Sequence, residues 1–480
     1  MSEAPKEVKN PLQEIVKPFV DLVHAPRALW GINLSYLFEG MVYFGMLGYL
    51  TMYYTQYLGL GDTWSSYMVG FLTYGITFSM FLFGGVSDRF GVRKAILLAL
   101  CLMLVGRVVL AYIPYSGIST GLWSSAFFIS IGGLFLIILG YGMYQPAAYS
   151  AVKQFTTPAT ATMGYAMLYA LMNLGGWLPS FFSPIRRSVE ISGTYWVFSG
   201  ITLVALIGTS IILTSKVVKR ATERAKEKAE LEKKEKKSET GEENTINEEI
   251  EEVEKLEVEA VAKEGKSFNL LTWFKEHPLA DPKFSFLIFS LIPVQTLFAY
   301  NWLVMPKFVS RAFQGSWVGE NFEAAVNLNP LLIFILVPII TAITMKRKIY
   351  NMMIVGTLVM ALPTFLFVAG NNIFTLGGYI LIMTIGEAMW QPRFLQLAAE
   401  IAPEGKTGAY MGVAQFPWFL TKVIASLYAG LFLAKYCPKD GTIATEQMWL
   451  IFGIVAMITP VLLIVAKPWL ATSFKTQGEE

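Results

Sequence analysis

The stretch GEAMWQPR, Gly386–Arg393, lies inside a hydrophobic segment running from about Leu376 to Ala399. It places a carboxylate, Glu387, where its neighbours are apolar. The pattern occurs once more, about half the chain earlier, as GYGMYQP at Gly140–Pro146. Both copies read Gly-x-x-Met-aromatic-Gln-Pro, with Glu387 at the second position of one and Tyr141 at that of the other. A repeat on this scale implies two related halves.

Composition gives the medium in which those halves fold. Hydrophobic residues make up 54% of the 480 and charged residues only 15%, against about 25% charged in soluble domains. Mean hydropathy is +0.50. Much of the charge is confined to 216–283. The remainder is a series of long apolar runs, each near the roughly 20 residues that span a bilayer as a helix. The class is therefore all-α integral membrane, and a large soluble α protein is excluded. The N-terminus, MSEAPKEVKNP, has no apolar core of a cleavable signal peptide. Cys101 and Cys437 show no disulfide or metal-ligand spacing, and His24 and His277 are far apart. No metal or cofactor is expected. The net charge of +3 says little about partners; none of the charge points to nucleic acid.

Residues 11–24 place Leu12, Ile15, Val16, Phe19, Val20 and Val23 on one helical face, interrupted by Pro18. They read as an amphipathic helix on the membrane surface or as a packed cytosolic arm. Twelve spans follow, near 29–58, 64–86, 94–114, 121–146, 159–184, 194–215, 284–308, 328–345, 350–370, 373–398, 407–434 and 447–470. The expected units are an N-terminal segment 1–28, a six-helix bundle 29–215, a charged linker 216–283, a second bundle 284–470 and a tail 471–480. Arg89, Arg93 and Lys94 fall between spans 2 and 3, Lys346, Arg347 and Lys348 between spans 8 and 9, and the Lys/Arg-rich stretch 216–237 after span 6. All lie on one side if the spans alternate. The positive-inside tendency makes that side the cytoplasm, with both termini there. A multi-pass protein of the cell's inner (plasma) membrane, acting as a monomer, is the expectation.

In the linker, Lys216–Lys237 interleaves Lys and Arg with Glu at helical spacing and reads as a solvated extension of span 6. From Glu239 to Glu259 the charge turns acidic, which favours a flexible tether. Phe268–Phe274 reads as an interfacial helix before span 7.

Between spans 2 and 3 the chain reads Gly84-Gly-Val-Ser-Asp88-Arg89-Phe-Gly91-Val-Arg93-Lys94. Gly84 and Gly91 permit close approach and a tight turn, and Asp88 can face the N-terminus of a neighbouring helix. This stretch resembles the loop 2–3 signature of the major facilitator superfamily. The resemblance implies two pseudo-symmetric six-helix bundles, and a gating role for Gly84, Asp88, Arg89, Gly91 and Arg93. A finer resemblance is to the proton-dependent oligopeptide transporter branch. It rests on Glu39-Gly40-Met41-Val-Tyr43-Phe44-Gly45-Met46 in span 1, Tyr169-Ala-Leu-Met-Asn173 in span 5 and Leu328-Asn329-Pro330-Leu331 in span 8. Gly386-Glu387 through Pro392, Ala402-Pro403, Gly408, Met411-Gly412 and Trp418-Phe-Leu-Thr421 complete it in spans 10 and 11.

The departures are specific. In the branch's E-x-x-E-R-F stretch only the second Glu is kept, as Glu39; the first is Tyr36, the Arg is Gly40 and the Phe is Met41. The Arg that often follows Gly-Met is Leu47, and the span-4 Lys is Gln145. The residues that in this branch face a peptide's amino end persist as Glu387 and Asn329, together with Asn173. Those that hold its carboxylate do not.

Intramembrane charge is costly and faces a cavity or a partner. Glu39, Arg107, Glu387, Arg393 and Lys422 are the cases here. Glu39 and Glu387 are the candidate proton-coupling groups, the alternative being permanent ion pairs that lock spans together. Lys422 lies at a depth similar to Glu387, since both are about equally far from the turn at Gly405, which makes it a candidate partner. Arg393 is a candidate anion site, and Arg107 has a snorkelling or structural role. The expected substrate contacts are Tyr43, Gln145, Asn173, Asn329, Glu387, Arg393, Trp418 and Lys422. Pro146 and Pro392 are expected to kink their helices. The expected function is secondary active transport, proton-coupled symport of peptide-like or other small polar organic solutes. Proton antiport of drugs or metabolites, or a non-transporting sensor on the same fold, is the alternative. Without the carboxylate grip the solute is neutral or cationic, unless Arg393 or Lys422 compensates. There is no phosphate loop, metal cluster or nucleophile-base spacing of an enzyme.

Overall fold

The computed structural model describes Val20 and residues 25–240, 277–438 and 441–470. The expected N-terminal amphipathic helix, apart from Val20, the acidic stretch beyond Thr240, the interfacial helix at Phe268–Phe274 and the tail lie outside the described residues. Among the described residues, twelve helical elements form the body. The first six are α1 (Arg27–Tyr57), α2 (Asp62–Phe83), α3 (Val92–Tyr112), α4 (Ser125–Phe155), α5 (Pro158–Trp177) and α6 (Ser183–Ile212). The second six are α7 (Pro282–Ser290 and Ile292–Leu303), α8 (Leu328–Thr344), α9 (Ile349–Ala361, continued as 3-10 turns over Leu362–Ala369), α10 (Ile373–Glu400), α11 (Thr407–Ala414 and Phe416–Tyr436) and α12 (Thr445–Leu470).

Eight of these are long and apolar enough to cross a membrane by composition alone. α2 and α8 contribute shorter apolar stretches, Tyr67–Phe83 and Leu328–Thr344. The interruptions in α7 and α11 fall just before Pro293 and Pro417, whose missing N–H suits the first turn of a new helix. By contrast Pro146 and Pro392, expected to kink their helices, sit inside α4 and α10 without interrupting them. α6 has its break at Glu190, with φ of 60°. The Lys/Arg/Glu stretch after α6 is helical over Ser215–Thr240, as its spacing predicts, with an exposed Lys219–Glu223 pair at 3.8 Å.

The repeated motif does the same work in both halves. A Cβ on Gly140 would lie 2.7 Å from Ala99 O on α3, and one on Gly386 would lie 2.2 Å from Met360 N on α9. Each glycine thus allows its helix to touch the backbone of the preceding span. Behind them the aromatics turn into their own bundles. Tyr144 Oη and Ser35 Oγ on α1 are hydrogen-bonded at 2.7 Å, and Trp390 Nε1 donates to Met360 Sδ at 3.2 Å. The bundles meet where α5 packs along α8 and where α2 packs along α11.

Candidate functional site

Two features carry chemistry: a cavity between the bundles, and a closed contact between them at the end where α6 passes into the Ser215–Thr240 helix, called here the linker face.

At the linker face, Asp88 lies in the short helix Val86–Phe90 between α2 and α3. Its Oδ1 accepts from Gly408 N at 2.8 Å and its Oδ2 from Ala409 N at 3.0 Å. Those are unsatisfied donors of the first turn of α11, the end of a helix that favours an anion. Burial pushes the Asp88 carboxyl up from 3.8 to about 6, against the pull of these two N–H groups and of Lys153. Lys153, near the end of α4, donates to Ala399 O at 2.7 Å and Ala402 O at 3.2 Å, capping the opposite kind of helix end on α10. Gly84, Gly408 and Gly412 bring α2 and α11 together: a Cβ on Gly408 would be 2.5 Å from Gly84 O. Gly91 has φ of 79°, as its tight turn requires. Arg93 donates through Nε to Leu213 O at the end of α6, within its own bundle. Arg89 lies in the last turn of the Val86–Phe90 helix.

The cavity lies between the bundles and holds about 810 Å³ of space free of atoms, its open mouth included. The first bundle supplies Phe44, Gln145, Tyr149, Tyr169, Met172, Asn173 and Gly176. The second supplies Phe298, Asn301, Val326, Asn329, Pro330, Glu387, Gln391, Gln415 and Trp418. Glu387 is the one acidic or basic side chain among these lining residues, and it is 1% exposed. Its Oε1 accepts from Tyr169 Oη at 2.6 Å and its Oε2 from Asn329 Nδ2 at 2.9 Å. Asn329 also donates to Thr384 Oγ1 at 3.0 Å, one turn from Glu387 on α10. One carboxylate therefore ties α5 of the first bundle to α8 and α10 of the second. Hydrogen bonds to a charged group contribute about 1.5–3 kcal/mol each. Asn372 fixes the start of α10 by accepting from Phe374 N and Thr375 N, which sets the helix that carries Glu387.

Of the expected substrate contacts, Gln145, Asn173, Asn329, Glu387 and Trp418 are brought together in this lining. Tyr43 is not among them; it is buried with its ring 4.7 Å from Tyr141. Arg393 is also directed elsewhere. It donates to Thr344 O at 2.6 Å, Gln396 Oε1 at 3.1 Å and Thr162 Oγ1 at 3.2 Å, bracing α10 against α8 and α5. Lys422 does not pair with Glu387. Its Nζ rests 3.5 Å from the centroid of Trp418, a cation–π contact on a half-buried side chain. Glu39 forms a buried bidentate ion pair with Arg107, whose Nη1 also donates to Thr202 Oγ1 at 2.6 Å. Neither residue lines the cavity. Arg107 is thus a structural partner rather than a snorkelling side chain. A Cβ on Gly40 would be 3.2 Å from Met172 O on α5, so α3, rather than position 40, supplies the cation that balances Glu39.

Tyr169 belongs to the span-5 stretch but was not expected as a partner of Glu387, and Asn301 and Gln415 were not singled out as lining residues; for those two the available sign was their polar character within apolar runs. Gln391 was indicated by its match to Gln145 in the repeat, and the two do line the same cavity.

A family model described as Major Facilitator Superfamily matches residues 34–426. The chain is similar in structure to the proton:xylose symporter XylE bound to 6-bromo-6-deoxy-D-glucose, with a TM-score of 0.64 at 16% identity over 94% of this chain and 98% of that one. It is also similar to a peptide transporter POT mutant in complex with alafosfalin, with a TM-score of 0.54 at 19% identity over 94% and 96%. A peptide transporter POT in complex with sulfate gives a TM-score of 0.52 at 19% identity over 93% and 95%.

Proposed function

The chain belongs to the Major Facilitator Superfamily, and from that membership we propose a secondary active transporter that moves small polar organic solutes by alternating access. Glu387 is its proton site. The carrying observation is the hydrogen bond from Tyr169 of the first bundle to Glu387 of the second. A proton on that carboxylate weakens a bond that spans the moving interface, and this links protonation to the relative position of the bundles. Glu39 is assigned a structural role, since Arg107 already neutralises it away from the cavity.

The positive-inside tendency places the linker face, with Arg89, Arg93, Lys346 and Arg347, in the cytoplasm. On that orientation Asp88 and Lys153 hold the cytoplasmic side shut. Alternating access then requires these contacts to break as the other side closes. The site is a binding site and not a catalytic one.

The solute's charge sets the direction of coupling. A neutral solute, such as a peptide-like or polyol-like molecule, travels with the proton and gives symport. A cation competes with the proton at Glu387 and gives exchange; the single charged group in the lining favours keeping this second reading. The test is movement of a panel of small solutes, covering dipeptides, amines and polyols, in proteoliposomes under imposed pH gradients. Movement that follows the gradient supports transport. Binding without gradient-driven movement of any solute supports a sensor instead.

A further inference from the structure

We propose that His277 is a pH-sensitive catch on the linker face: its neutral ring reaches from the start of the second bundle to α2 of the first and helps hold the face closed, and its protonation releases it. The proposal goes beyond the transport reading and stands on the closed contact alone.

His277 begins a turn that is fixed to the second bundle. It is the N-cap of the 3-10 turn Pro278–Ala280, which leads into α7 at Pro282. Ser285 Oγ on α7 donates to Leu279 O at 2.7 Å. Asp281 Oδ1 caps α7 by accepting from Lys283 N at 2.8 Å and Phe284 N at 3.3 Å. The turn also packs against the first segment of α11. Phe81, by contrast, belongs to α2. The centroids of the His277 and Phe81 rings are 4.4 Å apart, and Phe81 is in turn 6.4 Å from Phe416 on α11. His277 is 8% exposed. Its ring thus sits at the seam between α2 and α11, which has to part when the face opens.

Hydrogen bonds fix the charge state of the ring. Leu279 N donates to Nδ1 at 3.2 Å, so Nδ1 carries no proton and the neutral ring keeps its hydrogen on Nε2. The ring is also hydrogen-bonded to the backbone of Phe81, which ties it to the first bundle. A second proton can go only to Nδ1. There it meets the Leu279 N–H, two donors with no acceptor between them, and the cap is lost. Burial holds the ring below its ordinary 6.5, while the Phe81 bond works the other way and is the weaker effect. The charged and titratable groups nearby are otherwise engaged or add nothing to that balance. Asp281 serves the first turn of α7, and Lys283 lies over the Trp469 ring at 5.9 Å. Lys406 and Tyr410 are at the start of α11. Asp88, past the end of α2, accepts from Gly408 N and Ala409 N. Lys275 and Glu276 precede His277 in sequence and lie outside the described residues.

The closed face holds the ring neutral and an open, hydrated face does not. Closure is therefore at full strength above about pH 6.5 and weakens as pH falls. Asp88 titrates at lower pH and with the opposite sign, since burial raises its carboxyl. On the orientation proposed above, protons delivered to the cytoplasm favour the state open to it, which brakes further uptake. That consequence alone rests on the transport reading.

Spin labels on Phe90→Cys and Glu404→Cys, both exposed positions, with Cys101 and Cys437 replaced by Ser, read the distance across the linker face of the purified full-length protein. From pH 8 to pH 6 the ratio of long to short distances should rise about fourfold, the change for a ring of ordinary value when the face is open that stays neutral when it is closed. His277→Asn can still accept from Leu279 N through its side-chain oxygen, and His277→Phe keeps a ring against Phe81. Both should give a flat ratio. The Asp88 response is read with His277→Asn in place. A flat ratio in the wild type, or an undiminished rise in both variants, overturns the proposal. A second measurement needs no labels. The chain has two histidines, so His24→Gln leaves His277 as the one imidazole to follow by magnetic resonance. It should titrate below 6.5, and return toward 6.5 in a Gly408→Ala variant whose labels show the face open. An ordinary value in the closed protein, or one unmoved by opening, overturns the proposal as well. Uptake in proteoliposomes separates it from the transport reading. Label distances that respond to pH through His277, with no solute moved, sink transport and leave the catch standing. Gradient-driven movement with distances indifferent to pH between 8 and 6 does the reverse.

Discussion

Tyr169 on α5 donates a hydrogen bond of 2.6 Å to Glu387 on α10, so a phenol of one bundle holds the carboxylate of the other. Tyr169→Phe removes that bond and keeps the ring. Gradient-driven uptake should fall about tenfold, the equivalent of roughly 1.5 kcal/mol for one charge-assisted bond. The initial uptake rate of the variant in proteoliposomes is the measurement. An unchanged rate would show that the contact plays no part in coupling.

Asp88 gives the linker face a pH dependence whose sign follows from its environment. Burial raises its value from 3.8 to about 6, so the closed face binds a proton more readily than an open, hydrated one. Closure is therefore favoured at low pH and loses strength as pH rises through about 4 to about 6, then levels off. Lys153 is the charged group acting on it, and it lowers the value rather than raising it. Spin labels on Phe90→Cys and Glu404→Cys, both exposed positions, with Cys101 and Cys437 replaced by Ser, report the distance across this face. The short-distance population should shrink between pH 4 and 6, and Asp88→Asn should remove that dependence. Equal pH dependence in the variant would exclude Asp88 as its source.

The glycines at the same face make a steric prediction. A Cβ on Gly408 falls 2.2 Å from Ser87 Oγ and 2.5 Å from Gly84 O, too close to be relieved by a side-chain shift alone. Gly408→Ala should lengthen the mean label distance and reduce uptake, with each bundle still folded. Identical distance distributions would mean that the close approach of α2 and α11 is not what holds the face shut.

The Glu39–Arg107 pair is 0–1% exposed. Removing one partner leaves a buried charge, which costs about 3–5 kcal/mol. Glu39→Leu and Arg107→Met should each lower the unfolding temperature of the purified protein, while the double variant should recover most of the loss and retain transport. A double variant with normal stability and no gradient-driven uptake would reinstate Glu39 as a coupling group.

The fold was legible because a bilayer leaves few solutions: long apolar runs must be helices, and a repeat half a chain apart gives two bundles. Glu387 was legible because a carboxylate within such a run is costly. What the sequence withheld was direction around the helix axis. Depth follows from counting residues, so Lys422 is at the level of Glu387, but the count does not bring the two together. Arg393 lies six residues beyond Glu387, about 240° round the helix at 100° per residue, and so turns away from the face that Glu387 and Gln391 share. Lys422 is one turn beyond Trp418 on the same face, which is why it rests on the indole. Tyr169 was legible as part of the span-5 stretch, but that it meets Glu387 follows only from the packing of α5 against α8 and α10. The two prolines read as kink sites lie inside α4 and α10, which remain helical on both sides of them.

The most direct test of the central claim is gradient-driven solute accumulation in proteoliposomes containing wild-type protein or Glu387→Gln, with matched thermal unfolding to show that both are folded. The account predicts accumulation that follows the imposed pH gradient in the wild type and is lost in Glu387→Gln. Undiminished gradient-driven accumulation in Glu387→Gln would contradict it.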